Sequence, residues 1–262
     1  MKRGAALLAI TLLAACDDAR QERAPASNAR ANVAFESNVT VAAVAGVPAG
    51  ELRGVVRFAG EPPLRRPLAV SGASGCGGAA PLSDTLIVTD GGVANVLVHA
   101  RSGLAADAIA PPPDTPLVLD QENCVYAPHV VALRAGQLLQ IRSSDGVTHN
   151  VNAKPRRNER FNLTQTPGSP PIEERFERGE LSIPLSCDIH PWMSAQVHVL
   201  EHQAFALSAA DGSFAIRGLA PGRYRFEALH EALGELEFEV ELDDRVGASV
   251  NIEFRRSEAA AR

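Results

Sequence analysis

Residues 187–193 read Cys-Asp-Ile-His-Pro-Trp-Met. They place a thiol, an imidazole and a thioether at Cys187, His190 and Met193, with two residues between each. The stretch also holds the only tryptophan, Trp192, and the only methionine besides the initiator. Thiolate, imidazole and thioether are soft or borderline donors, and as a set they select copper among common metals. A mononuclear copper–thiolate site uses two histidines and a cysteine in a plane, with a weak axial methionine. One histidine is therefore missing from this loop. It should come from an earlier strand, at the end of a loop.

The segment Ala135-Gly-Gln-Leu-Leu-Gln-Ile-Arg-Ser-Ser-Asp-Gly-Val-Thr-His-Asn-Val-Asn-Ala153 supplies one. Ala135-Gly136 reads as a turn, Leu138, Leu139 and Ile141 as a strand, and Ser143 to Thr148 as a loop closed by His149-Asn150. A Gly turn, an apolar strand, an acidic residue and then His-Asn-Val resembles the plastocyanin-like and amicyanin-like cupredoxins. Upstream, Cys124-Val-Tyr-Ala-Pro-His-Val-Val-Ala-Leu-Arg is similar to the first strands of that family. The resemblance covers about residues 120–200, with both halves in the family's order.

The resemblance implies one type 1 copper ion held by His149, Cys187, His190 and Met193. It implies that His190 lies near the surface, where electrons pass. It also gives Asn150 the task of bonding across to the cysteine loop. Pro191 would stiffen that loop, and Trp192 would pack over the site and exclude water. Three ligands on one short loop, locked to a fourth from a neighbouring strand, form a rigid site. Such a site changes oxidation state with little rearrangement.

The elements that must position these residues read as strands. The run 84–100 has two β-branched stretches around Asp90-Gly91-Gly92, and Gly234–Asp244 alternates Leu236, Phe238, Val240 and Leu242 with glutamates. No long amphipathic helix is evident, although Ala228–Glu235 could make one helical turn. The fold class is all-β, with short strands at the spacing of sandwiches. The segment from Ala210, with its Asp211-Gly212 turn, Phe214 and the Pro221-Gly222 turn before Tyr224, resembles the carboxypeptidase regulatory-like sandwich. A strand such as Leu52–Gly60 normally begins that fold. The expected organisation is a Greek-key cupredoxin domain at 115–203, inserted in or packed beside a small sandwich split between 50–110 and 204–256. The alternative is three consecutive small β units. Pro184 lies in the strand leading to Cys187, which therefore should be an edge or carry a bulge.

The N-terminus has a basic start, a short apolar core and small residues before a cysteine, the layout of a secretion signal. Leu13-Ala-Ala-Cys16 resembles a bacterial lipobox, which implies cleavage after residue 15 and lipid on Cys16. Residues 16–48 then form a flexible tether, and the protein is periplasmic and membrane-anchored. Asp17 favours the inner membrane. With Cys16 lipidated, three cysteines remain. The economical solution pairs Cys76 with Cys124, which an exported chain permits, and leaves Cys187 for metal. Sequence leaves the other pairings open.

The net charge of −6 argues against nucleic-acid binding. Past the N-terminus no apolar run is long enough to span a membrane. No Ser-His-Asp, zinc-protease or phosphate-loop pattern is present, so the chain does not read as an enzyme and no small-molecule substrate is evident. His99, His129, His198, His202 and His230 read as structural. The basic run Lys154–Arg160 is a solvated loop that could steer an acidic redox protein. The functional expectation is an electron carrier with a redox protein partner. The alternatives are a copper-handling protein and a cell-envelope interaction module.

Overall fold

The computed structural model describes residues 35–44, 46–70, 76 and 80–256. The expected signal peptide (1–15), the proposed lipid site Cys16 and the part of the expected tether up to residue 34 lie outside the described residues. The fold is all-β, as the strand periodicities require. In chain order the strands are β1 (Phe35–Ala43), β2 (Glu51–Ala59), β3 (Val88–Thr89), β4 (Gly92–Val93), β5 (Leu97–Ser102), β6 (Leu117–Glu122), β7 (Val125–Ala127), β8 (Val130–Arg134), β9 (Leu138–Ser143), β10 (His149–Ala153), β11 (Phe161–Gln165), β12 (Ile172–Arg175), β13 (Glu180–Ser186), β14 (Ser194–Leu200), β15 (Phe205–Leu207), β16 (Ser213–Arg217), β17 (Gly222–His230), β18 (Gly234–Leu242) and β19 (Ala248–Arg256). Among the described residues the only helix is a single 3-10 turn, Ala106–Ala108.

Two pairs of sheets enclose two cores. The first pair has the orders β1-β19-β2-β4-β3, with β16 against β2, and β15-β5-β17-β18. Leu52, Val56, Val98, Phe226, Val240, Val250 and Phe254 fill the space between them. Alternation decides which face goes inside: along β18, Phe238, Val240 and Leu242 are buried and the intervening glutamates exposed. Each such fully buried side chain contributes about 2 kcal/mol by leaving water. The second pair has the orders β11-β10-β13-β14-β8 and β12-β9-β6-β7, and closes on Leu119, Leu133, Ile141, Val151, Leu185 and Val197. All its strands come from the run β6–β14. That run leaves after β5, and β15 then pairs antiparallel with β5, Leu207 opposite Leu97.

Two local expectations are corrected. Residues 35–43, read as tether, form β1 and pair along their whole length with β19, from Phe35↔Arg256 to Ala43↔Ala248. The outer edge of β19 would otherwise stay unpaired, and Val39 adds its side chain to the core. The segment 228–235 makes no helical turn. Ala228–His230 ends β17, Gly234 begins β18, and the left-handed φ of Gly234 (84°) completes the hairpin between them.

The expectation for the strand of Pro184 is met by a bulge and not by an edge. Pro184 lies in β13, which is flanked by both β10 and β14, and its Cα partner on β14 is Gln196. The bulge falls just before it, between Glu180 and Ile183, where Ser182 takes φ 56°. Strand pairing with β10 ends at Leu185, and the Pro184 carbonyl accepts one last bond from Lys154 N–H at 3.2 Å. In an extended residue N and O face the same side. Proline therefore lacks the N–H that would return a bond to the Lys154 carbonyl, and the ladder with β10 ends at this pair.

Candidate metal centre

The site forms at one end of the second sandwich. β13 and β14 are joined by the seven residues Cys187–Met193, and the last pair of the ladder is Ser186↔Ser194. Cys187 N–H donates to the Met193 carbonyl (3.3 Å), which holds both residues at the base of the loop. Met193 N–H donates to the His190 carbonyl (2.9 Å), which folds the loop back and sets His190 at its turn. His149 starts β10, the neighbour of β13 on the same sheet.

This arrangement brings His149, Cys187 and His190 together. Their donor atoms lie within 4.8 Å of one another. The two Nδ1 atoms are 2.9 Å apart, and Cys187 Sγ is 3.9 Å from His190 Nδ1. The residues are 0%, 2% and 8% exposed, and Met193 beside them is 1% exposed. Two imidazole nitrogens facing each other beside a buried thiol form a donor set that fits copper.

The surroundings fix each donor. Asp145 Oδ2 lies 2.8 Å from His149 Nε2 and accepts its proton, which turns Nδ1 inward to Cys187 and His190. The same carboxylate accepts the N–H groups of Asn123 (2.7 Å) and Cys124 (2.8 Å). Those two residues form the β6–β7 turn, both at positive φ (54° and 55°), a conformation costly for non-glycine residues. Asn150 Oδ1 accepts Asp188 N–H (2.7 Å) and Ile189 N–H (3.3 Å), and lies 3.3 Å from Cys187 Sγ. The Asn150 carbonyl accepts the Tyr126 hydroxyl (2.7 Å). Asp188 in turn accepts from the side-chain amides of Asn150, Asn152 and Asn162.

Electrostatics follow. Burial disfavours the Cys187 thiolate, but hydrogen bonds from His149 and the backbone of the loop outweigh it and bring the thiol below its ordinary pKa. Burial also opposes a charged His149, while Cys187 and Asp145 favour it, and the balance lies above the ordinary value. His190 is pushed down, by burial and then by the nearby His149. Tyr126 is pushed far up, mainly by burial.

Trp192 packs beside His190, with ring centres 5.0 Å apart, and its Nε1–H donates to the Cys124 carbonyl (3.0 Å). Pro191 is exposed on the loop. Cys76 and Cys124 form a disulfide, and Cys187 is a free, buried cysteine. His190 departs from expectation: it does not open to the surface. Cys76 Sγ lies 3.8 Å from its Nε2 and covers that edge. His129 is bonded to Glu231 and Ser194, away from the donor set. Asp145, Asp188 and Tyr126 are the site's supporting residues that the reading by motif did not single out. The acidic residue before His-Asn-Val was their one sequence signal.

No family model and no curated protein matches this chain. Parts of it are similar to solved structures. A purple cupredoxin from Nitrosopumilus maritimus is 22% identical over 33% of this chain and 100% of its own, with TM-score 0.28. Amicyanin from Paracoccus versutus is 22% identical over 39% of this chain and 97% of its own, with TM-score 0.30. A copper-containing nitrite reductase from Thermus scotoductus is 19% identical over 38% of this chain, with TM-score 0.31. The matched segment spans 25% of that reductase.

Proposed function

We propose that this chain is an exported, membrane-tethered copper protein whose central domain holds one type 1 ion for electron transfer. The observation that carries this reading is the pair of facing Nδ1 atoms of His149 and His190, 2.9 Å apart beside Cys187 in a buried pocket. Those three residues are the proposed equatorial ligands, and the buried thioether of Met193 is the axial one. Copper bound there supplies a one-electron couple. Asp145 holds the His149 tautomer, Asn150 locks the cysteine loop to β10, and Trp192 with the disulfide keeps water away.

In this reading β6–β14 are a cupredoxin domain inserted into a regulatory-like sandwich. Support comes from their separate core and from the return of β15 beside β5. Export and the lipid on Cys16 rest on the sequence Leu13–Cys16. The partner is a redox protein, and the exposed Arg156 and Arg157 give it an acidic docking face to match.

Voltammetry of the copper-loaded chain tests the role. A carrier gives a fast, reversible one-electron wave. A slow wave, with loss of Cu(I) to a chelator, would contradict electron transfer and favour copper handling. The cover that Cys76 places over His190 specifically favours that second reading, since it removes the exposed imidazole edge.

A further inference from the structure

The disulfide lies against the second edge of a proposed copper ligand. His190 presents Nδ1 to His149 and Cys187, and Nε2 to Cys76 Sγ at 3.8 Å. Both sulfurs and a ring nitrogen of His190 lie within 4.8 Å of one another. We infer that the Cys76–Cys124 pair, once reduced, is a second copper site, a two-thiolate Cu(I) site that lies against the Nε2 edge of the His190 ring. The inference deepens the copper reading and rests on it.

The fold holds Cys124 in place, and keeps Cys76 within reach of it, without their bond. Cys124 is 1% exposed and sits in the β6–β7 turn, where Asp145 accepts its N–H and Trp192 donates to its carbonyl. In the sequence Cys76 lies between Leu68 and Pro81, two residues that are bonded to each other. Leu68 N–H donates to the Pro81 carbonyl (2.7 Å), and Ser83 N–H donates to the Arg66 carbonyl (2.8 Å). Arg65 Nε donates to the Ser83 carbonyl (3.0 Å) and its guanidinium also pairs with Asp84. A thiol tethered by so short a closed loop stays at high effective concentration near its partner.

The donor chemistry selects the ion. Two thiolates suit Cu(I), which accepts few, soft ligands. Structural zinc takes four ligands, and this group offers three donors. Opening the site needs a dithiol reductant. Its thiolate attacks Cys76 Sγ, the more accessible sulfur, and Cys124 leaves as a thiolate. The reductant's second thiol then attacks the mixed disulfide and releases Cys76. Two electrons pass to the chain and the reductant becomes a disulfide. Cu(I) then displaces the protons of Cys76 and Cys124 and bonds to both sulfurs. The disulfide form keeps this site closed. The dithiol form offers copper a landing place one imidazole away from the inner donors.

The test is an anaerobic Cu(I) titration against a chromophoric chelator, on the full chain carrying Cys16→Ser. Thiols counted in denaturant should rise from one to three when the disulfide is reduced. The disulfide form should take one equivalent of Cu(I) and the dithiol form two. Cys76→Ser should take one before and after reductant, and reduced Cys187→Ala should still take one at the dithiol. Far-UV circular dichroism checks that each variant keeps its strands. Equal uptake by the two forms, with the thiol count at three, would overturn the inference. So would a second equivalent that persists in Cys76→Ser. Failure of the inner centre appears separately, as a disulfide form that takes up no copper.

Discussion

Asp145 Oδ2 accepts the Nε2 proton of His149 at 2.8 Å while the same carboxylate ties down the backbone of Asn123 and Cys124. One side chain thus orients a proposed ligand and anchors the turn that carries the disulfide. Asp145→Asn keeps the size and loses the charge. Copper affinity, measured by chelator competition, should fall by roughly 10- to 100-fold, the usual effect of removing a ligand's outer partner. Unchanged affinity would show that the contact does not hold the imidazole for metal.

Asn150 joins β10 to the cysteine loop through bonds to Asp188 N–H and Ile189 N–H. Asn150→Ala leaves these donors without their acceptor. Urea unfolding of the metal-free chain should lose about 2 kcal/mol. The copper-loaded chain should also exchange its metal faster. A variant as stable as the wild type would mean that the loop holds its shape without this bond.

His198 and His230 are pushed down to about 4, in each case mainly by burial. The folded chain therefore resists protonating them, while the unfolded chain protonates them near the ordinary value. Stability is complete above pH 6.5 and falls as the pH drops towards 4, by about 2 kcal/mol for each histidine at pH 5. Urea unfolding of metal-free His198→Gln from pH 7 to pH 5 should show a shallower fall than the wild type. Parallel curves would contradict the assignment.

His129 behaves oppositely. Burial alone would lower it, but Glu231 outweighs that and the group titrates above its ordinary value. Its Nδ1 faces the Ser194 carbonyl and its Nε2 faces Glu231 on the β17–β18 turn, so the pair bridges the two sandwiches. The charged pair stabilises the fold below the unfolded pKa and loses that effect as the pH rises through the folded value. Glu231→Gln should therefore cost on the order of 2 kcal/mol near pH 6 and clearly less at pH 9, by denaturant unfolding. A cost independent of pH would rule out a charged pair.

Much of the site was legible because its donors are rare residue types on a short loop. Cys187, His190 and Met193 need no long-range information to be seen as a set, and His149-Asn150 follows a readable turn and strand. Counting cysteines made Cys76–Cys124 the economical pairing and left the others open, and the structure forms that bond. Its place over His190 was not legible, because nothing in the order of residues says that the loop around Cys76 crosses the end of the second sandwich. Asp145 was visible only as an acidic residue before His-Asn-Val. Its three bonds depend on two turns meeting in space. The strand β1 was missed because a mixed polar and small-residue segment shows no strong period. Its partner β19 supplies the order.

The most direct measurement is the visible absorption spectrum of the full chain after addition of Cu(II), beside Cys187→Ala and Met193→Ala. A mononuclear copper–thiolate centre gives an intense blue or green sulfur-to-copper band, lost in Cys187→Ala and altered in Met193→Ala. A colourless wild-type protein would contradict the proposed centre.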